Sequence, residues 1–205
     1  SKYGIEYMKA LQNNNVISVV KHFPGHGATK KDSHFRLSKI NCSMEILENE
    51  DMVPFKNAMK SGADGVLVGH LKIMNMLGKM PASLSKKFIT KYIRKKERYN
   101  GLVITDDVRM KGIRMRYGSN RVIKKAFLAC NDIIVFKYDN DIQVIKDIIK
   151  MAKDNIIEMK KVNKSVTRIL KVKEKYQVRD DEIQKDDEFV EKINKEIEEI
   201  RQKVL

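Results

Sequence analysis

The sequence predicts an α/β fold in which a parallel sheet is covered by helices. Two observations carry that expectation. Four short β-branched runs are nearly continuous in apolar residues, and longer segments of helical period lie between them. A strand that is apolar on both faces has to be covered on both, and alternating strands and helices do this best in a parallel sheet. Val16-Ile17-Ser18-Val19-Val20 is the first such run, entered from Asn13-Asn14-Asn15. A helical pattern around residues 51–61 leads through the turn Ser61-Gly62-Ala63-Asp64 into the second run, Gly65-Val66-Leu67-Val68-Gly69. A pattern at 84–97 precedes Asn100-Gly101 and the third run, Leu102-Val103-Ile104-Thr105. Another at 119–130 precedes the fourth, Asp132-Ile133-Ile134-Val135-Phe136.

Two more helices are expected at 142–153 and 162–176, the latter with Val162, Val166, Ile169, Leu170 and Val172 on its apolar face. Beyond Arg179 the composition turns charged, with Asp180-Asp181-Glu182 and Asp186-Asp187-Glu188. Phe189, Ile193, Ile197, Ile200 and Val204 then recur every three or four residues, as in an amphipathic helix. The chain therefore divides into a main domain at 1–176 and, at 177–205, a charged linker with a C-terminal amphipathic helix.

Composition narrows the function classes. With 42% hydrophobic residues and three prolines in 205, the chain folds instead of staying disordered. No apolar run approaches the roughly 20 residues of a membrane span, and no signal-peptide pattern opens the chain. The net charge is +15, but the lysines are spread along the whole length. Without an aromatic-interleaved basic patch or a helix-turn-helix signature, that charge reads as composition and not as a nucleic-acid site. Cys42 and Cys130 have neither metal-ligand spacing nor a disulfide-framework pattern.

In parallel α/β proteins, functional residues collect just past the C-terminal ends of strands. Residues 21–34 follow the first run and hold three of the four histidines, His22, His26 and His34, in a loop bent by Pro24, Gly25 and Gly27. His70 follows the second run, and Asp106-Asp107 follows the third. All four histidines and a carboxylate pair thus fall at one end of one sheet. Asp106, set directly after an apolar strand, suits a nucleophile, a general base or a metal ligand. Asp32 and His34 stand two residues apart, so the carboxylate can fix the imidazole's tautomer and raise its basicity. Metal binding is a competing reading, although no HExxH or other tight ligand spacing is present.

Lys21-His22-Phe23-Pro24-Gly25-His26-Gly27, followed by Asp32-Ser33-His34, resembles the signature of glycoside hydrolase family 3, and within it the β-N-acetylglucosaminidase branch. Further stretches are similar to the family: Pro54-Phe55, Gly62-Ala63-Asp64, Gly69-His70 and Pro81-Ala82-Ser83-Leu84-Ser85. So are Ile104-Thr105-Asp106-Asp107-Val108-Arg109-Met110 and Ser165-Val166-Thr167-Arg168-Ile169-Leu170-Lys171-Val172-Lys173. The resemblance covers residues 1–176. It departs from the family at Ala28, where an acidic residue is usual, at Ser38, where a proline often stands, and at Ala129-Cys130-Asn131-Asp132, which replaces Ala-Gly-Ala-Asp.

The resemblance implies a (β/α)8 TIM barrel of which this sequence carries the last four β/α units. A preceding polypeptide or a second copy is then expected to complete it. It implies a retaining exo-β-N-acetylglucosaminidase that removes terminal β-linked N-acetylglucosamine from peptidoglycan fragments or related glycans without metal or organic cofactor. Asp106 would be the nucleophile, His34 the general acid/base, and Asp32 its orienting partner. Lys21 and His22 would hold sugar hydroxyls, with His70 bordering the pocket and His26 and Asp107 in support. The alternative is a catalytically impaired half-barrel that binds glycan or serves a structural role. Bacterial cytoplasm and cell wall both remain open as the compartment.

Overall fold

The computed structural model of the chain describes residues 1–27, 29, 37–136, 141–154, 158–179, and 191, 195, 199 and 202. Helix α1 (Lys2–Asn13) leads into strand β1 (Val19–Phe23), then β2 (Lys39–Ile40), α2 (Met44–Asn49) and α3 (Val53–Lys60). Next come β3 (Gly65–Val68), β4 (Lys72–Ile73), α4 (Met74–Leu77), a 3-10 turn at Ala82–Leu84 and a wide π-type helix at Lys87–Lys96. Strand β5 (Leu102–Thr105) is followed by α5 (Lys111–Tyr117), α6 (Ser119–Leu128), α7 (Asp141–Lys153) and α8 (Met159–Lys175).

The expected parallel sheet is present, in the order β1-β3-β5 with both pairs parallel. The fourth run lies against β5 but keeps only one regular bridge, between Ile104 and Ile133. Its backbone nonetheless stays in step: Asp132 N–H donates to the Val103 carbonyl at 2.8 Å, and Thr105 N–H to the Ile133 carbonyl at 3.0 Å. Side chains break the ladder at both ends. The Asp132 carboxylate accepts from Val103 N–H at 2.9 Å, and the Thr105 hydroxyl accepts from Val135 N–H at 3.1 Å.

Strand β1 starts three residues later than its apolar run and continues through Lys21 and His22, which the sequence reading assigned to the loop. The late start follows from Ser18, whose N–H donates to the Asp64 carboxylate at 2.9 Å. The extension follows from Phe23, which pairs with Val68 and is fully buried. From Val20 to Phe23, three steps of β1 face two of β3, so one extra residue sits in the strand as a bulge at Lys21-His22. A second, two-stranded sheet (β2-β4) and helix α1 were not expected; two-residue strands are too short for any periodicity to betray them.

Phe23 anchors the main core, with its ring 5.5 Å from Phe88, while Phe88 stacks on Tyr92 at 5.3 Å. A second cluster forms around Val108, Ile113, Val122, Ile123 and Val144 under α5, α6 and α7. Two buried aspartates tie the leading ends of the strands. Asp64, just before β3, accepts hydrogen bonds from Ser18, Gln12, Lys175 and Tyr176, joining α1, β1 and the end of α8. Asp132 accepts from Arg94, Arg168 and Ser165. Phe189, Ile193, Ile197, Ile200 and Val204 of the expected C-terminal helix lie outside the described residues, while Glu191, Lys195, Glu199 and Gln202 are helical and exposed.

Candidate active site

The trailing ends of β1 and β5 open onto a cavity of about 480 Å³ lined by Lys21, His22, Gly25, His26, Gly27, Asp51, Phe55, Asp106 and Met110. That volume falls in the range of small-molecule pockets, about 300–1,000 Å³. Asp106 is the first residue past β5. Its N–H donates to the Val68 carbonyl at 3.1 Å, and its Oδ1 accepts from the Asp107 N–H at 2.8 Å. The carboxylate is therefore held by the backbone of its own turn.

Lys21 and His22 reach the wall from the bulge of β1, where the added residue re-aims side chains relative to a regular strand. The chain then turns, with Gly25 N–H donating to the His22 carbonyl at 2.9 Å. The peptide bonds Lys21–His22 and Phe23–Pro24 are cis. The His22 and His26 rings meet edge to face at 5.6 Å. His26 is held in turn by its carbonyl, which accepts from both the hydroxyl and the N–H of Thr29 at 2.6 and 3.0 Å.

His70 stands behind this wall instead of on it. It is 3% exposed; Nδ1 meets Ser83 Oγ at 2.7 Å and Nε2 meets the Asp107 carbonyl at 3.1 Å. Burial pushes its pKa below the ordinary imidazole value, against the pull of the nearby carboxylates. Both ring nitrogens are thus engaged within the protein, and His70 lies behind the wall that it was expected to border. Asp107 pairs with Arg109, whose hydrogen bonds hold its carboxyl below the usual range, and it is not part of the wall. Asp32 and His34 lie outside the described residues.

The sequence reading missed Asp51 as a wall residue. A β-carbon built on Gly27 would stand 2.3 Å from Asp51 Oδ1, and one on Gly25 would stand 2.9 Å from both Asp51 Cβ and the Asp51 carbonyl oxygen. The histidine loop therefore lies directly on Asp51. The only trace of this in the sequence is the pair of glycines around His26, which says that something comes close without saying what.

The profile of the "Glycosyl hydrolase family 3 N terminal domain" matches residues 1–172. Among similar proteins, Beta-hexosaminidase LpqI of Mycobacterium tuberculosis is 30% identical over 178 residues, which is 83% of this chain and 45% of LpqI. A family 3 β-N-acetylglucosaminidase from Paenibacillus sp. str. FPU-7 superposes with a TM-score of 0.81 at 29% identity, covering 89% of this chain and 36% of that one. CbsA from Thermotoga neapolitana gives a TM-score of 0.75 at 32% identity, over 82% of this chain and 38% of its own. The chain spans less than half the length of these relatives.

Proposed function

We propose, from the premise that this chain belongs to glycoside hydrolase family 3, that it carries the acid–base and nucleophile side of a retaining β-N-acetylglucosaminidase site. One observation supports this reading above the others: the Asp106 carboxylate shares a cavity wall with Lys21 and His22. In the first step an Asp106 oxygen attacks the anomeric carbon while the bond to the leaving oxygen breaks. His34, oriented by Asp32, gives its proton to that oxygen. In the second step His34 takes a proton from water, the water oxygen attacks the same carbon, and Asp106 leaves. Two inversions give net retention. Lys21 and His22 donate to ring hydroxyls and hold the sugar in line for attack.

Residues 1–176 then supply four consecutive β/α units of an eight-unit barrel, and 177–205 a charged linker and amphipathic helix. The rest of the barrel comes from outside these 205 residues, in a longer polypeptide or a second copy. The substrate is a terminal β-linked N-acetylglucosamine of peptidoglycan fragments or a related glycan. The alternative reading is a catalytically impaired half-barrel that binds glycan without turning it over.

The test is hydrolysis of a chromogenic β-N-acetylglucosaminide by the full-length gene product. Asp106→Asn is expected to lower kcat at least about 10³-fold, and the first product released by the wild type is the β-anomer. Undiminished turnover in Asp106→Asn overturns the nucleophile assignment. Glycan binding by the wild type without turnover selects the alternative reading.

A further inference from the structure

We propose that His70 is a positioning residue which, as the neutral Nε2–H tautomer, pins the residue after the nucleophile and so holds Asp106 aimed into the cavity. The inference rests on the role proposed for Asp106. A carbonyl oxygen only accepts, so the 3.1 Å contact between Nε2 and the Asp107 carbonyl places a proton on Nε2. Ser83 is fully buried, and its hydroxyl makes no other hydrogen bond among the described residues, so its proton goes to Nδ1, 2.7 Å away. The ring therefore carries one proton. The low exposure of His70 agrees with this, because charging a buried imidazole costs desolvation.

Ser83 is itself held. It sits in the 3-10 turn Ala82–Leu84, and its carbonyl accepts at 2.9 Å from the Asn131 amide, which also donates to the Ala126 carbonyl at 2.8 Å. A hydrogen-bonded line thus runs from the end of α6 through Asn131, Ser83 and His70 to the Asp106-Asp107 turn. That turn is held by the Val68 carbonyl, the Asp106 carboxylate and His70, while the Asp107 carbonyl also accepts from Met110 N–H at 3.1 Å and the Asp107 carboxylate from Arg109. A neutral ring in this place fixes geometry without placing a cation behind the nucleophile, which would blunt its attack.

The full-length gene product, labelled with ¹⁵N-histidine, tests this by NMR. His70, assigned by the signal lost in His70→Gln, is expected as the neutral Nε2–H tautomer at pH 7. In Ser83→Ala, kcat should fall about tenfold while KM stays within about twofold, and exchange of the Asp107 amide should speed up. His70→Gln, whose amide can still donate to the carbonyl, should keep more kcat than His70→Leu. An imidazolium or an Nδ1–H tautomer at pH 7 overturns the proposal, as does wild-type kcat in His70→Leu. So does a Ser83→Ala effect confined to KM. The nitrogen signals and amide exchange need no turnover, so they decide the role of His70 even where no glycoside is cleaved. Asp106→Asn tests the proposed reaction separately.

Discussion

Gly25 and Gly27 face the same neighbour, Asp51, but in different ways. At Gly25 the obstacle is backbone and Cβ of Asp51 at 2.9 Å, and φ is +114°, a conformation L side chains rarely adopt. At Gly27 the obstacle is the end of the Asp51 side chain, which can turn aside. Gly25→Ala is therefore expected to shift the loop that carries His22 and His26 and to lower kcat/KM on a chromogenic glycoside about 10²-fold. Gly27→Ala should cost less than about tenfold by the same assay, because a rotated carboxylate absorbs the methyl. Equal losses in the two variants would mean that Asp51 cannot rotate without disturbing the wall.

At the scale of elements, the end of α6 carries a visible misfit. Cys130 follows the C-cap Ala129 and has φ +70°, at the position where the family resemblance leads one to expect glycine. A left-handed residue there closes the helix, with Cys130 N–H donating to the Phe127 carbonyl at 2.9 Å. A non-glycine residue in that conformation costs about 1–2 kcal/mol, while glycine costs about 0.5–1 kcal/mol in unfolded-chain entropy. Cys130→Gly is thus expected to stabilise the fold by about 0.5–1 kcal/mol, raising Tm by about 1–4 °C in thermal unfolding. Strand β1 shows the opposite economy: its bulge at Lys21-His22 gives up ladder pairing where the cavity needs side chains turned to it.

Across the whole molecule the two ends of the sheet do different work. The trailing ends hold Asp106, Lys21 and His22 at the cavity, while the leading ends hold Asp64 and Asp132 as buried ties between helices and strands. Burial opposes the charge on Asp64, but donors from Lys175, Tyr176, Ser18 and Gln12 outweigh it and hold its carboxyl well below the usual range. A carboxylate with a depressed folded pKa adds stability above its unfolded value, about 3.9, and loses it as pH falls through the folded one. Stability measured by urea unfolding should therefore decline below about pH 4 in the wild type. Asp64→Asn should cost about 3 kcal/mol at pH 7 and show a shallower decline in acid, since its largest titrating tie is gone.

The sequence by itself determined the α/β class with its parallel sheet, and the end of that sheet at which Lys21, His22 and Asp106 meet a cavity. Apolar runs of two-faced strands can be read locally, and so can the residue that follows each one. Asp106 after β5 and His70 after β3 sit where that rule puts them, and Asp64 and Asp132 fall at the other end because they precede their strands. Only the tertiary structure decided what each residue does with its position. Asp51 is 24 residues from Gly27 and 26 from Gly25, and no period in the sequence joins them. His70 leaves the cavity because Ser83 and the Asp107 carbonyl, 13 and 37 residues away, take both its nitrogens. Hydrogen-bond partners at such separations are chosen by how the strands stack in space, and local composition holds no record of that choice.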